Sequence, residues 1–204
     1  MGKTSLAEEC RQETYMLLQP SRPVLVTTLD EDGTTHVAPF SWITPISVNP
    51  PLVGLALVTK PHKQHSLENI ERHPEFVVNV PGLELAERLV KCSYDIRPGV
   101  KRIGYAGFNT SPAQKVRPLL IEECRAHLEC RVLSINPTGD HSFLVSEVVA
   151  ASFDSSCYTA NLLLKVHENP PCIHIGHYRN PDGQAHLFLA PSDVRVIEVP
   201  FPKL

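Results

Sequence analysis

The chain is short of several things, and each shortage removes a class of protein. It has no excess of positive charge: the formal net charge is −3 at pH 7, so no basic field argues for nucleic acid. No apolar run approaches the roughly 18 residues a membrane-spanning helix needs. The first nineteen residues are charged and carry no signal-peptide core, so a cytoplasmic protein is expected. Met1-Gly2-Lys3-Thr4-Ser5 resembles a myristoylation start only loosely. None of the six cysteines forms a Cys-x-x-Cys pair, and in a cytosolic chain of this size buried reduced thiols are expected. There is no Gly-x-Gly-x-x-Gly, so a Rossmann nucleotide site is unsupported. A Ser-His-Asp arrangement, a convincing carboxylate pair, an internal repeat and a low-complexity segment are missing too.

What is present suits one globular domain. The 204 residues are 42% apolar and 20% charged, enough to bury a core without staples. Nineteen prolines punctuate many short segments. Ser5 and Glu8 make a capping box for an N-terminal helix reaching Gln19, which Pro20 and Pro23 stop. Val24 to Leu29 is a β-branched strand, and Glu31-Asp32-Gly33 is a hairpin signal. Thr34 to Val48 continues as strand, interrupted at Pro39 and Pro45, followed by strands at Leu52 to Thr59 and Phe76 to Val80. Ser66 is expected to cap a short helix running to about Arg72, and Leu83 to Ser93 to form another. Asp95 to Ser111 reads as loop. Ile121 to Ile135 and Ser142 to Phe153 read as long strands, with late strands at Cys172 to Gly176 and Val194 to Val199. Many strands with few long helices favour a closed or nearly closed antiparallel barrel.

Four constellations can carry chemistry. Thr59, Lys60, Lys63, His65 and Ser66 fall within eight residues, between a strand and a helix start, a composition suited to phosphate. The competing account is a solvated loop in which Ser66 only caps. Pro39, Phe40, Ser41, Trp42, Ile43 and Thr44 form a small polar and aromatic strand suited to a flat ring. Alternation puts Phe40 and Trp42 on one face and Ser41 on the other; the bland account is core packing. His141 in Gly139-Asp140-His141 can bind an anion or donate a proton, or be a hydrogen-bonded surface residue. Cys172-x-His174-x-x-His177 places Cys172 and His174 on one strand face, but no fourth ligand is evident and no metal is expected.

These segments, in order and spacing, resemble the flavin reductase-like FMN-binding split-barrel family, in particular its flavoredoxin-like branch. The matching stretches run from Ser21-Arg22-Pro23-Val24 through Ala38-Pro39-Phe40-Ser41-Trp42, Asn49-Pro50-Pro51, Ser66-Leu67-Glu68-Asn69-Ile70 and Glu75-Phe76-Val77-Val78-Asn79-Val80. They continue with Ala106-Gly107-Phe108, Leu128-Glu129-Cys130, Gly139-Asp140-His141 and Ile175-Gly176-His177-Tyr178. The resemblance implies a mainly β protein: a six-stranded, Greek-key antiparallel split barrel with peripheral helices, the barrel domain covering 21–200 after an N-terminal helix at 1–20. It implies a homodimer binding FMN noncovalently, with reduced nicotinamide, NAD(P)H, as possible electron donor. Ser41, Trp42 and their neighbours would approach the isoalloxazine. Thr59, Lys60, Lys63, His65 and Ser66 would hold the phosphate, Asn79 would touch the flavin or shape its pocket, and His141 would be the catalytic group. His65, Ser146 and His177 depart from what relatives often carry. The function implied is an FMN-dependent oxidoreductase of flavin reductase type. The alternatives are an FMN electron carrier without nicotinamide use, passing electrons between small-molecule or protein partners, and a ligand sensor or haem-binding relative on the same barrel.

Overall fold

A computed structural model describes residues 2–93, 100–179 and 185–191. Seven antiparallel strands make the main sheet: β1 (Val24–Leu29), β2 (Thr35–Phe40), β3 (Ile43–Ser47), β4 (Leu52–Val58), β5 (Glu75–Val80), β8 (Ala126–Thr138) and β9 (His141–Phe153). They run in the order β2-β1-β5-β8-β9-β4-β3. β4 and β5 follow each other in sequence yet sit on opposite sides of the β8–β9 hairpin, which is the Greek-key feature. The two outer strands, β2 and β3, are joined in sequence by Ser41 and Trp42. The sheet therefore curls until its edges meet at this peptide junction, a split barrel. Seven strands appear where six are expected because the stretch from Thr34 to Val48 breaks at Ser41 into two.

The sequence explains the curl. β1 is buried along its whole length, which its apolar and β-branched composition, free of charged residues, anticipates. Val24 and Val26 face the barrel interior with Phe40, Leu55, Phe76, Val78 and Leu144. Leu25 faces outward into a second cluster with Val37, Leu85, Leu89, Ala106 and Phe108. That outer cluster seats α2 (Ala86–Lys91) and α3 (Arg102–Ala106) against β1 and β2. α1 (His65–Arg72) sinks Leu67 and Ile70 into the interior cluster. Eight residues are too few to hold a helix alone, so this burial, about 2–3 kcal/mol per side chain, places it.

Local expectations differ from the structure at identifiable points. The N-terminal segment Glu8–Leu18 is a 3-10 helix that starts after Ala7, without side-chain capping, and buries none of its residues. α1 starts two residues earlier than expected, with Gln64 at the cap in place of Ser66. The Gln64 amide oxygen accepts from Val58 N (2.8 Å) instead of capping, and Ser66 falls inside the first turn. Arg102–Ala106, expected as loop, is helical and ends at Gly107 with φ +74°; residues 95–99 of that loop lie outside the described residues. β10 (Cys172–Arg179) pairs with β11 (Ala185–Pro191), a strand the proline-rich composition concealed. The expected strand at Val194 to Val199 lies outside the described residues. One further short pair is β6 (Thr110–Ser111) with β7 (Leu120–Ile121). No helix among the described residues is long and apolar enough to cross a membrane.

Candidate functional site

A cavity of about 720 Å³ opens where the barrel edges meet. One wall is Pro39, Phe40, Ser41 and Trp42; others come from Ala56 and Val58 of β4, from the Asp140-His141 turn and from His174 of β10. Arg11, Gln12, Thr14 and Tyr15 of the N-terminal helix cover it. The expected alternation fails here, because the strand breaks: Phe40 enters the core, Trp42 stays 41% exposed, and Ser41 lines the same cavity as both. Trp42 stacks on His141 with ring centroids 4.7 Å apart and planes at 23°. Tyr15 meets the indole edge-on at 5.6 Å.

Two adjustments hold His141. The β8–β9 hairpin turns through Gly139 at φ +65°, a conformation glycine adopts without strain. The Asp140 carbonyl then accepts from Thr59 N (2.8 Å) and Lys60 N (3.2 Å), tying the turn to the end of β4. The Asp140 carboxylate lies 2.7 Å from His141 Nδ1. That bond, first among several causes, holds the Asp140 carboxyl below its usual range. It also aligns the imidazole. A neighbouring space of about 370 Å³ shares Trp42, Ala56, Asp140 and His141 with the first and extends to Phe143. Phe143 lies so close over Gly54 that any side chain there would collide with its ring.

A smaller cavity of about 230 Å³ adjoins the first, sharing Pro39, Phe40, Gln64 and Ser93 with it. His36, His65, Ser66, Cys92 and Arg102 complete its wall. Arg102 Nη1 donates to His36 Nε2 (3.2 Å), so that nitrogen is the acceptor and the ring is neutral. Burial, then the charges of Arg102 and His65, push His36 down to about 4. His65 Nε2 pairs with Asp30 (2.8 Å), and Asn69 and Lys101 also donate to that carboxylate. Burial opposes ionisation of Asp30, but these three bonds outweigh it and keep the carboxyl below its usual value. Ser66 Oγ is buried at the start of α1 and has no hydrogen-bond partner. A buried hydroxyl without a partner costs about 1–3 kcal/mol, which an anion would remove. The first N–H groups of a helix carry partial positive charge beside it.

The structure gathers some nominated residues and disperses others. Pro39, Phe40, Ser41, Trp42 and His141 line the large cavity, and His65 and Ser66 the small one. Ile43, Thr44, Thr59, Lys60, Lys63 and Asn79 line neither. Ile43 packs on the interior core, and Thr44 Oγ1 donates to the Pro45 carbonyl. Lys63 pairs with Glu71 at 2.8 Å. Asn79 is fully buried: its amide donates to Leu25 O and Thr27 Oγ1 and accepts from Ile121 N. It braces strands and lines neither of these two cavities. Cys172 and His174 do share a strand face, both buried. Burial pushes the Cys172 thiol up to about 11, the opposite of a metal-ready thiolate; the His177 side chain lies outside the described residues. Among the described residues the group of ligating side chains close enough for an ion is Asp30, His36 and His65, and Lys101 already occupies the second Asp30 oxygen. Sequence reasoning did not reach His36, Gln64 or Arg102. The signal for α3 was present in Gly107, a helix-ending residue just after Ala106.

Comparison with known proteins agrees with this architecture. The flavin reductase like domain matches residues 16–175. An uncharacterized protein of Pyrococcus abyssi is 31% identical over 146 residues, 72% of this chain and 81% of its own length. The 2-nitrobenzoate 2-nitroreductase NbaA of Pseudomonas fluorescens superposes with TM-score 0.78 at 25% identity, covering 98% of this chain and 99% of its own. Flavoredoxin of Methanosarcina acetivorans superposes with TM-score 0.71 at 19% identity, covering 97% and 95%. A barrel split at the Ser41–Trp42 junction, two adjoining cavities along that split, and a family match over most of its length lead to one conclusion: the chain belongs to the flavin reductase like domain family.

Proposed function

We propose that the protein is an FMN-binding oxidoreductase of the NAD(P)H-dependent flavin reductase type. The observation that carries this is the buried, unpartnered Ser66 hydroxyl beside Arg102 and His65, in a small cavity that opens into a larger one walled by Phe40, Ser41 and Trp42. A phosphate suits the first and a flat ring the second. Ser66, His65, Arg102 and the first N–H groups of α1 would hold the phosphate. This moves the phosphate away from Thr59, Lys60 and Lys63. Phe40, Trp42 and Tyr15 would exclude water from the ring, and Ser41 would offer it a hydrogen bond. His141, aligned by Asp140 and stacked on Trp42, would be the group that exchanges a proton with the ligand in the same cavity. FMN itself would supply the electron chemistry, accepting hydride from a reduced nicotinamide and releasing electrons to an acceptor. No side chain acts as a nucleophile. A homodimer is part of this reading; exposed Ile46 and Val48, on and just after β3, offer an apolar surface for a second copy.

Reconstitution tests it directly. Purified protein titrated with FMN should quench flavin fluorescence at a saturable one-to-one stoichiometry. Its absorption spectrum separates flavin from haem. Anaerobic mixing with NADH or NADPH should bleach the bound flavin; no fluorescence quenching by FMN overturns the proposal. A second reading, an FMN electron carrier that takes no nicotinamide, draws support from Tyr15 and the N-terminal helix, which cover the Trp42 face. Bleaching by dithionite but by neither nicotinamide would select it.

A further inference from the structure

We propose that His174 is a positioning residue for the flavin ring, acting through the Ser41 hydroxyl; the inference rests on the FMN reading above. His174 is 6% exposed and reaches the large cavity from β10, far in sequence from the Ser41 wall. Its backbone is fixed on both sides: Ser21 N donates to His174 O (2.9 Å), and His174 N donates to Ser21 O (2.8 Å). The ring is thereby set at a defined height against the barrel edge. From there Nδ1 lies 3.0 Å from Ser41 Oγ and 3.5 Å from Ser21 Oγ.

Ser41 needs such a partner. The β1–β2 ladder stops at Phe40 and the β3–β4 ladder starts at Ile43, so Ser41 sits between two ladders. A serine hydroxyl has one proton and two lone pairs. Once Nδ1 engages one of them, the remaining directions are restricted, and Ser41 already lines the cavity. The imidazole can take either role at Nδ1. As acceptor it draws the Ser41 proton to itself and leaves oxygen lone pairs facing the cavity. As donor it fills a lone pair and frees the Ser41 proton. A flavin ring nitrogen accepts a hydrogen bond when oxidised and donates one when reduced. A serine–histidine pair can answer both states by rotating one hydroxyl and exchanging one tautomer. A lone serine has no such partner to fix its direction. The Cys172-x-His174 pattern thus signals a polar brace behind the ring wall.

The test compares four full-length variants loaded with FMN: Ser41→Ala, His174→Ala, the double variant, and His174→Asn, whose amide can occupy the Nδ1 position. The measurements are FMN affinity by fluorescence quenching, the visible band of bound flavin, and its midpoint potential. Ser41→Ala and His174→Ala should each weaken FMN by about 5–10-fold, the range of one hydrogen bond, and move the band and potential in the same direction. The double variant should match the singles, and His174→Asn should recover most of the shift. If His174→Ala fails to fold, His174→Asn against His174→Gln decides, because glutamine places its amide nearer Nε2; only asparagine should keep the wild-type potential. The proposal is overturned if His174→Ala leaves band and potential unchanged while Ser41→Ala moves them, or if the two effects add. Wild-type protein that takes no FMN overturns the functional reading together with this one; indifferent variants of an FMN-binding wild type overturn this one alone.

Discussion

Asn79 and Ser66 are both small polar residues, both buried, and both nominated from sequence as cofactor contacts. Their surroundings separate them. Asn79 spends its amide inside the protein, on Leu25, Thr27 and Ile121. Glu129, on the next strand, behaves alike: its carboxylate accepts from Gln114 N (3.0 Å) and Lys115 N (2.6 Å). Ser66 has no partner at all, although cationic and imidazole groups ring the space it faces. A saturated buried polar group has finished its task when the chain has folded. An unsatisfied one carries a cost that a new partner, such as a bound anion, removes. The contrast gives Asn79 and Glu129 a structural task and leaves Ser66, which also lines the small cavity, as the residue proposed for binding.

The contrast can be broken or sharpened by experiment, beginning with the largest effect. Asn79→Ala leaves the buried Ile121 N–H without its acceptor in the barrel wall; about 2–4 kcal/mol of unfolding free energy should be lost in urea titrations, with FMN affinity nearly unchanged in the folded fraction. A loss of FMN affinity without a loss of stability would place Asn79 back at the ligand. Arg102→Met should weaken FMN by about 10–100-fold, since charge-assisted bonds contribute about 1.5–3 kcal/mol, read by fluorescence quenching. Ser66→Ala should raise or leave unchanged the melting temperature of the ligand-free protein, while weakening FMN by roughly tenfold. A destabilised ligand-free Ser66→Ala protein would erase the distinction from Asn79.

Acidity probes the same cavity. The folded protein holds His36 near 4 against an ordinary 6.5, so between those values the unfolded chain binds more protons. Stability should therefore fall as pH drops through that window, by on the order of 1–3 kcal/mol. His36→Gln should flatten the fall. The smallest effect is expected at Lys63, whose ammonium is committed to Glu71 on an exposed surface. Lys63→Ala should change FMN affinity less than twofold, as exposed pairs contribute about 0–1 kcal/mol.

Much of the barrel was legible in the sequence, because strand composition and turn chemistry are local. Val24–Leu29 is rich in apolar and β-branched residues, Leu52–Val58 is apolar throughout, and Gly33 and Gly139 mark turns where φ is positive. Phe40, Ser41 and Trp42 were picked out on the same local grounds and do line one cavity, though not with the strand alternation expected of them. What escaped was long-range. Arg102 meets His36 across 66 positions, and α3 is only five residues long, too short for a periodic signal. Ser41 meets His174 across 133. The Lys63 nomination rested on a cation near a helix start; the sequence did not show that Glu71 is placed beside its ammonium.

The meeting of β2 and β3 at Ser41 is a zipper without teeth. Elsewhere around the wall, spacing is dictated by interstrand N–H···O=C rungs; here one peptide link and side-chain braces set it. No ladder rung joins the two strands to each other there; Ala56 N donates to the Trp42 carbonyl (3.0 Å) and His174 meets the Ser41 hydroxyl, and these hold the junction. Amide exchange at residues 41 and 42 should accordingly outpace that of the adjoining strands and slow most when a guest is bound.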